Sequence, residues 1–301
     1  MTQAVDEAGM EPGPVHPLSR RDRLRAATVE EIIRTARRLL VESGPEAMSL
    51  RAIAREMGMT APGLYRYFDS HEELHRHVCA SIFTELGQDI HRAIQAAGAP
   101  AATPDDMTAK LTAKMVGACQ EFRRWALNHQ GEFALVFGVP LPGLDDARYD
   151  AADECALEFA GTFLTLFLEL WNAAPFPVPP AGDIDPGLRE QLTRYRDWLG
   201  TDIPLGAVLT FLRCWTVLYG AVAMEVFGHM KFALEDSAPM FEFTLGDLAA
   251  LVGLRYPLDR LPATRGRPAG PRSAASAATA RAPAASSSRP ARPGASHWMR
   301  P

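Results

Sequence analysis

The sequence is poor in the features that mark secreted or metal-binding chains. Its 301 residues include only four cysteines, Cys79, Cys119, Cys155 and Cys214, and no two of them lie close together. This scatter argues against a disulfide framework or a zinc ribbon and favours a reducing, cytoplasmic compartment. The first residues are acidic and lack the basic and then apolar pattern of a secretion signal.

Long apolar runs and catalytic motifs are also scarce. The longest apolar stretches, 159–171 and 205–227, are short or interrupted by Arg213 and Glu225, whereas a membrane span needs roughly 20 apolar residues. No nucleophilic triad, Gly-rich phosphate loop or pair of carboxylates with catalytic spacing stands out. We therefore expect no membrane association, no enzymatic activity, no metal site and no cofactor.

Charge is present but unevenly distributed. Residues 18–77 hold eleven arginines against nine acids, and residues 78–261 hold thirteen basic residues against 24 acids. Residues 262–301 hold seven arginines and no acid. The two ends of the chain could therefore meet a polyanion, while the middle would repel one.

Composition divides the chain into two tails and a helical centre. Residues 1–17 are rich in Pro and Gly, and residues 259–301 are dominated by Ala, Pro, Ser and Arg, so we expect both to be disordered because they cannot bury enough apolar surface. Strand patterns are nearly absent between them. This predicts an all-α protein with a compact three-helix unit at 18–80 and a larger helical bundle at 81–258.

Helical spacing and stop signals predict the individual elements. Val29 begins an apolar face that continues to Leu40, and Gly44 followed by Pro45 ends this first helix. Ser70 with Glu73 fits a capping box that begins the fourth helix. The predicted helices after the first lie near 50–57, 61–68, 70–97, 105–129, 130–138, 146–174, 186–199, 204–230 and 238–254.

Residues 50–64 have the spacing of a helix-turn-helix. Ala54 lies where two helices cross closely and a small side chain is needed. Gly58 occupies the turn, where a left-handed backbone carries no steric penalty for glycine. Thr60 can cap the second helix, and Leu64 closes the core from that helix. A second helix held in this way presents its outward side chains to the major groove.

The residues from Ile32 to Val78 resemble the DNA-binding domain of the TetR family of regulators. The likeness covers the first helix, the glycine turn, the helix-turn-helix and the run 64–68 that leads to Ser70. Residues 124–143, with Trp125, His129 and Gly138, resemble the Trp-His-Gly subgroup of TetR-like C-terminal domains. The resemblance implies a ligand-responsive repressor that binds a palindromic double-stranded DNA operator as a homodimer. It also implies that residues 18–80 form a helix-turn-helix DNA-binding domain and that residues 81–258 form a helical regulatory and dimerisation domain.

The resemblance and the side-chain chemistry together assign candidate DNA contacts. Hydroxyl groups would bind phosphate, small residues at the helix tip would meet base edges, and Arg66 would reach a guanine or a phosphate. His71 stands where the family usually has a lysine, and a histidine is not permanently charged. Arg20, Arg21, Arg23 and Arg25 could reach a flanking phosphate or the minor groove. The full set of principal candidates is Ser49, Arg51, Thr60, Ala61, Pro62, Gly63, Tyr65, Arg66 and His71.

The larger bundle is expected to hold a small, largely apolar effector. Pockets for such molecules are lined mostly by apolar and aromatic side chains, although aromatic residues at helical spacing are also ordinary core. The candidate lining residues are Trp125, Phe133, Phe137, Phe163, Phe167, Trp171, Trp215 and Tyr219. Apolar faces on the last two long helices, near 204–230 and 238–254, are expected to serve both the fold and dimerisation.

Three other interpretations compete with this one. His71, Glu72 and His75 match the zinc-hydrolase pattern HExxH, but the capped helix start disfavours a cation there and no third ligand follows. Residues 264–268 contain an Arg-Gly-Arg-Pro core like that of minor-groove peptides, which short Arg-rich tails also produce by chance. A helical adaptor, or an activator, could have the same fold.

Overall fold

A computed structural model describes residues 19–97, 104–138, 151–254 and 256, and at 104–106 and 151–153 it describes the backbone alone. All regular secondary structure within those ranges is helical, so the predicted all-α class is confirmed. The two tails that we expected to be disordered, and the Arg-Gly-Arg-Pro segment, lie outside the described residues.

Ten α-helices occur in the part of the chain that the structure describes, together with one-turn 3₁₀ helices at Pro45–Ala47 and Ala181–Asp183. The α-helices are α1 (Arg20–Ser43), α2 (Leu50–Glu56), α3 (Ala61–Leu64), α4 (His71–Ala96), α5 (Pro104–Asn128), α6 (Gln130–Phe137), α7 (Ala151–Ala173), α8 (Pro186–Trp198), α9 (Leu205–Val226) and α10 (Ala238–Leu251).

The first helix starts earlier than its apolar face suggests. Ser19 caps α1 by accepting a hydrogen bond from the Asp22 backbone N–H at 3.2 Å. The apolar stripe begins only at Val29, so the first two turns of α1 have no face to bury, and apolar periodicity gives no sign of them.

Helices α3 and α9 each end four residues earlier than predicted. After Leu64 the chain tightens, because the Tyr67 N–H bonds to the Leu64 carbonyl three residues back, and α3 therefore stops short of the predicted residue 68. Helix α9 ends at Val226 because Gly228 adopts φ +69°, a backbone conformation that continues no α-helix.

The DNA-binding half has a small core where α1, α2, α3 and the start of α4 meet. Ile32 and Ala36 of α1 are fully buried, as are Ile53 of α2 and Leu64 of α3. The predicted capping box forms at α4: the Ser70 hydroxyl accepts from the Glu73 N–H at 3.0 Å. The Glu73 carboxylate in turn accepts from the N–H of Asp69, one residue earlier than the usual partner.

The remaining helices pack as a bundle in which α4 lies against α5 and α7, while α9 lies against α5, α8 and α10. An aromatic cluster fills the region between α4, α5, α6, α7 and α9. Its rings belong to Phe83, Phe122, Phe133, Phe137, Phe159, Phe163, Trp215 and Tyr219.

Helix α9 is, among the described residues, the one helix long and apolar enough to cross a membrane by length and composition alone. The core helix of a globular bundle meets the same criterion. Glu225 near its end pairs with Arg123 of α5 at 2.6 Å, as expected for a helix that packs within the bundle.

Candidate nucleic-acid interface and effector cavity

The turn of the helix-turn-helix is fixed by one glycine and one backbone bond. Gly58 has φ +65°, a conformation that L side chains rarely adopt and that glycine adopts freely. The Met59 N–H then reaches back to the Ala54 carbonyl at 2.8 Å. The turn therefore sets the angle between α2 and α3 by backbone geometry, as the sequence predicted.

A hydroxyl cap holds the start of α3. The Thr60 hydroxyl accepts from the Gly63 N–H at 3.3 Å, which confirms the predicted cap. A Cβ on Gly63 would lie 3.1 Å from that hydroxyl oxygen, so glycine at this position keeps the cap free of crowding. Ala61 and Pro62 of the first turn then lie at the surface, with Pro62 exposed.

All nine principal candidates for DNA contact are at least partly exposed at the surface of the DNA-binding half. Ser49 also caps α2, since its hydroxyl accepts from the Ala52 N–H at 3.3 Å. Phe68 is buried in the core. Six of the nine candidates are exposed, Arg51, Thr60, Pro62, Tyr65, Arg66 and His71, and the other three, Ser49, Ala61 and Gly63, are half-buried.

His71 has a structural partner that the sequence did not reveal. Its Nε2 lies 2.8 Å from the Met48 carbonyl oxygen, and because a carbonyl only accepts, Nε2 carries the hydrogen. The remaining nitrogen, Nδ1, can donate to a phosphate only when the ring is doubly protonated. His71 thus joins the start of α4 to the residues that precede α2, and its contact with DNA stays a prediction.

The histidines of the HExxH match contact other parts of the fold rather than a shared metal position. His75 Nδ1 lies 3.6 Å from the Cys79 sulfur. Burial lowers the pKa of His75, and the nearby His71 lowers it further. Within the described ranges no group of three or more His, Cys, Asp or Glu side chains is placed to hold a metal ion.

A cavity of about 60 Å³ lies between α5, α7, α9 and α10. Since one water needs about 10–15 Å³ of such space, the cavity as it stands has room only for a very small molecule. Three of the eight predicted lining residues, Phe163, Phe167 and Trp215, contribute to its wall. The other lining residues are Thr112, Met115, Val116, Cys119, Phe211, Cys214, Leu218, Leu245, Leu248, Ala249, Val252 and Leu254.

The other five predicted lining residues lie elsewhere in the core. Phe133 and Phe137 belong to the aromatic cluster, and the Tyr219 hydroxyl donates to the Phe137 carbonyl at 2.7 Å. Trp171 packs on Phe176 with ring centroids 5.0 Å apart. Trp125 is 1 % exposed and stacks on His129, and its indole N–H has no hydrogen-bond partner among the described residues.

Two thiols in the cavity wall were missed from the sequence. Burial and the neighbouring Cys214 raise the pKa of Cys119 to about 12. Burial raises the pKa of Cys214 to about 11, although the nearby Arg213 lowers it in part. Both thiols are therefore protonated and apolar in character at neutral pH. Phe211, Cys214, Trp215 and Leu218 follow helical i, i+3, i+4, i+7 spacing, which is the signal that could have grouped them.

An ion-pair cluster links the DNA-binding half to the bundle. Arg37 of α1 donates from Nε to Glu132 of α6 at 2.6 Å, and its other nitrogen lies 2.7 Å from Glu85 of α4. Burial alone would lower the pKa of Arg37, but hydrogen bonds and charges from the two glutamates raise it above its ordinary value. The guanidinium therefore stays charged and holds α1 to both helices.

Two family models match this chain. Residues 32–78 match the one described as "Bacterial regulatory proteins, tetR family", and residues 115–248 match "Tetracyclin repressor-like, C-terminal domain". Among curated proteins, the HTH-type transcriptional regulator Rv1816 of Mycobacterium tuberculosis is 27 % identical over 199 residues, which are 66 % of this chain and 80 % of the relative. A second M. tuberculosis regulator, Rv0681, is 31 % identical over 123 residues, 41 % of this chain and 50 % of that protein.

Two solved structures also align with this chain. The crystal structure of regulatory protein SCO4313 aligns with a TM-score of 0.57 at 28 % identity, over 77 % of this chain and all of the other. A protein from Rhodococcus sp. RHA1 aligns with a TM-score of 0.51 at 19 % identity, over 81 % of this chain and all of the other, and that likeness shows the fold alone.

Proposed function

The chain belongs to the TetR family of bacterial transcriptional regulators and is a DNA-binding regulator. We propose that it is a ligand-responsive repressor, which binds a palindromic operator as a homodimer. We also propose that it acts in the cytoplasm and by binding alone, without catalysis. The observation that carries the proposal is a shared exposed surface on α2, α3 and the residues directly after α3. Arg51, Tyr65 and Arg66 are exposed there, on two helices joined by a turn whose backbone conformation Gly58 fixes.

The experiment for DNA binding is protection mapping on the DNA that flanks the protein's own coding region. A repressor of this kind should protect a two-fold symmetric site whose half-sites lie about one helical turn, roughly 34–36 Å, apart. The binding constant should also fall as salt rises. Failure to shift any duplex would instead favour the adaptor interpretation, and increased transcription from the protected promoter would favour an activator.

Dimerisation is supported by an apolar stripe on the last two helices. Val217, Met224 and Phe227 are exposed along and just after α9, and Met240 and Phe243 are exposed along α10. The opposite faces of these helices are buried in the protomer's own core. One face therefore serves the fold, and the other is free to form a four-helix bundle with a second copy.

A charge placed in this stripe should separate the subunits. Phe243→Glu is expected to convert a dimer at micromolar concentration into a monomer in light scattering. Leu188→Glu, which adds the same charge at an exposed leucine of α8, is the matched control and should stay dimeric. A wild-type monomer at that concentration would contradict the proposal, as would a Phe243→Glu dimer.

The effector proposal rests on the cavity and on the rod that α4 forms. The cavity is lined by apolar side chains, two protonated thiols and Thr112. Its volume of about 60 Å³ is far below the roughly 300–1,000 Å³ of ordinary ligand pockets. Binding of a larger apolar molecule must therefore push its helices apart. Helix α4 begins at His71 beside the helix-turn-helix and packs on α5 and α7, so such a shift would change the separation of the two recognition helices.

Reciprocity provides the test of this mechanism. An effector that weakens operator binding by about 1–3 kcal/mol must bind the free dimer more tightly than the operator-bound dimer by the same amount. Calorimetric titration of both forms with a candidate apolar compound measures the two affinities. Equal affinities would show that the compound shifts no equilibrium, and the mechanism would then be abandoned for that compound.

A further inference from the structure

The first two turns of α1 project from the fold. Every residue from Arg20 to Ala27 is exposed, including Leu24, which has 61 % of its surface accessible. This arm, residues 20–27, is helical because Ser19 caps it, and no apolar face holds it to the core. Four of its eight residues are arginines, against one acid, Asp22.

An open cleft of about 640 Å³ lies between the arm and the chain that follows α3. The α1 positions that line it are 20, 21, 24, 25 and 28, which share one side of a helix by their spacing. Asp22 lies on another side and bonds to Ser19. The complete lining is Arg20, Arg21, Leu24, Arg25, Thr28, Arg66 and Tyr67, which contains four guanidinium groups and no acid.

Arg25 has a different role from the other arginines of the cleft. Its guanidinium donates to the Arg66 backbone carbonyl at 3.1 Å and lies 5.1 Å from the centre of the Tyr67 ring. Both contacts join the arm to the segment directly after α3. Arg25 therefore holds the cleft in shape, while Arg20, Arg21 and the Arg66 side chain supply its positive charge. The sequence alone had grouped Arg25 with the contacting arginines.

We propose that this cleft binds backbone phosphates of the operator on the flank of each half-site, with Arg20 and Arg21 as contacts and Arg25 as a positioning residue. The proposal rests on the proposed function, because it adds a second contact surface beside the recognition elements. Guanidinium groups match phosphate oxygens in geometry and charge, and an open cleft beside α3 lies next to the DNA strand that α3 would approach. An apolar effector finds little to bind here, since one leucine and one tyrosine ring are the apolar part of the lining.

The test compares salt dependence across single variants on the mapped operator. Arg20→Ala and Arg21→Ala should each make the slope of log K against log[salt] shallower by about 0.9, the value for one lost phosphate contact. When salt rises from 50 to 200 mM, the affinity of each variant should therefore fall by a factor about 3.5 times smaller than the factor by which the wild-type affinity falls. Arg34→Ala removes the same charge from an exposed position of α1 outside the cleft, and its slope should equal that of the wild type.

Two further measurements separate the cleft from the helix-turn-helix. On a duplex trimmed to the half-sites themselves, the Arg20 and Arg21 variants should bind like the wild type. Arg25→Lys keeps the charge but loses the planar group, so it should weaken binding to the long duplex with an unchanged slope. Because all these side chains are exposed, circular dichroism should show unchanged folding.

The outcomes distinguish this proposal from the proposed function. If Arg20→Ala and Arg21→Ala keep the wild-type slope, or if their effect persists on the trimmed duplex, the cleft does not bind flanking phosphates, while specific wild-type binding still supports the repressor. Wild-type affinity of Arg25→Lys for the long duplex would show that the planar contacts of Arg25 do not shape the cleft, and would overturn its positioning role. If the wild type binds no operator at all, the proposed function itself fails.

Discussion

Replacement of Arg37 by alanine should destabilise the protein more than any surface charge deletion. The Arg37 side chain is 17 % exposed, and its guanidinium bonds to Glu132, whose side chain is 4 % exposed. Removing the arginine leaves that carboxylate buried without its positive partner. Breaking a buried pair in this way costs about 3–5 kcal/mol, whereas the contact with the half-exposed Glu85 adds less than about 1 kcal/mol.

The loss should depend on which partner is removed. Glu132→Gln keeps the shape of the side chain and leaves Arg37 paired with Glu85, so we expect a smaller loss of about 1–2 kcal/mol. In the double variant Arg37→Met/Glu132→Leu no buried charge is left unpaired, and much of the stability should return. This order of stabilities follows from the burial of Glu132 rather than from the number of ion pairs.

Urea denaturation followed by tryptophan fluorescence measures the free energies of unfolding. Protein concentration must be held fixed, because dimer formation adds to apparent stability. Arg38→Ala is the matched control, since Arg38 is the next residue on α1 and its pairs with Glu42 and Glu56 are exposed. That variant should unfold almost like the wild type. An Arg37→Ala protein as stable as Arg38→Ala would refute the argument from buried charge.

Three more predictions follow from the geometry. Gly58→Ala should cost about 1–2 kcal/mol because of its positive φ, while Gly87→Ala, in the middle of α4 with open space around it, should gain up to about 1 kcal/mol; thermal denaturation compares the two. Arg66→Ala should weaken operator binding. If Arg66 reads a base, the loss is about 1–3 kcal/mol and is confined to one base position, whereas a phosphate contact gives the same loss on all sequences. Fluorescence anisotropy with a set of operator variants distinguishes these two results from no effect. The raised pKa values of Cys119 and Cys214 keep both thiols protonated in the folded state. Because the unfolded chain loses those protons first as pH rises above 9, the free energy of unfolding should fall between about pH 9 and 12. Alkylation at pH 8 should likewise spare both thiols until urea unfolds the protein.

Local signals were sufficient for the helix-turn-helix. The glycine in the turn, the hydroxyls at Ser49, Thr60 and Ser70, and the apolar spacing from Ile32 onward each act within a few residues of themselves. Such effects can be read from sequence because the partner is always three or four positions away. The family, the all-helical class and the exposed surface of α2 and α3 all follow from them.

Contacts between distant parts of the chain could not be read in this way. The expected effector residues were chosen by ring type, and the structure puts Phe163 and Trp215 at the cavity but Trp171 against Phe176. Aromatic residues are equally suited to core and to pocket. Which of them faces the cavity depends on how α5, α7, α9 and α10 pack together, and no single helix carries that information.

The sequence by itself therefore determined the helical class, the caps at Thr60 and Ser70 and the DNA-binding motif of this regulator, because those depend on short-range hydrogen bonds and on apolar periodicity. Only the tertiary structure decided that Arg25 supports the segment after α3, that His71 bonds to Met48, and that Arg37 bridges two helices of the bundle. Each of these polar groups has several possible partners in the sequence. The one it meets is selected by the packing of helices that lie far apart along the chain.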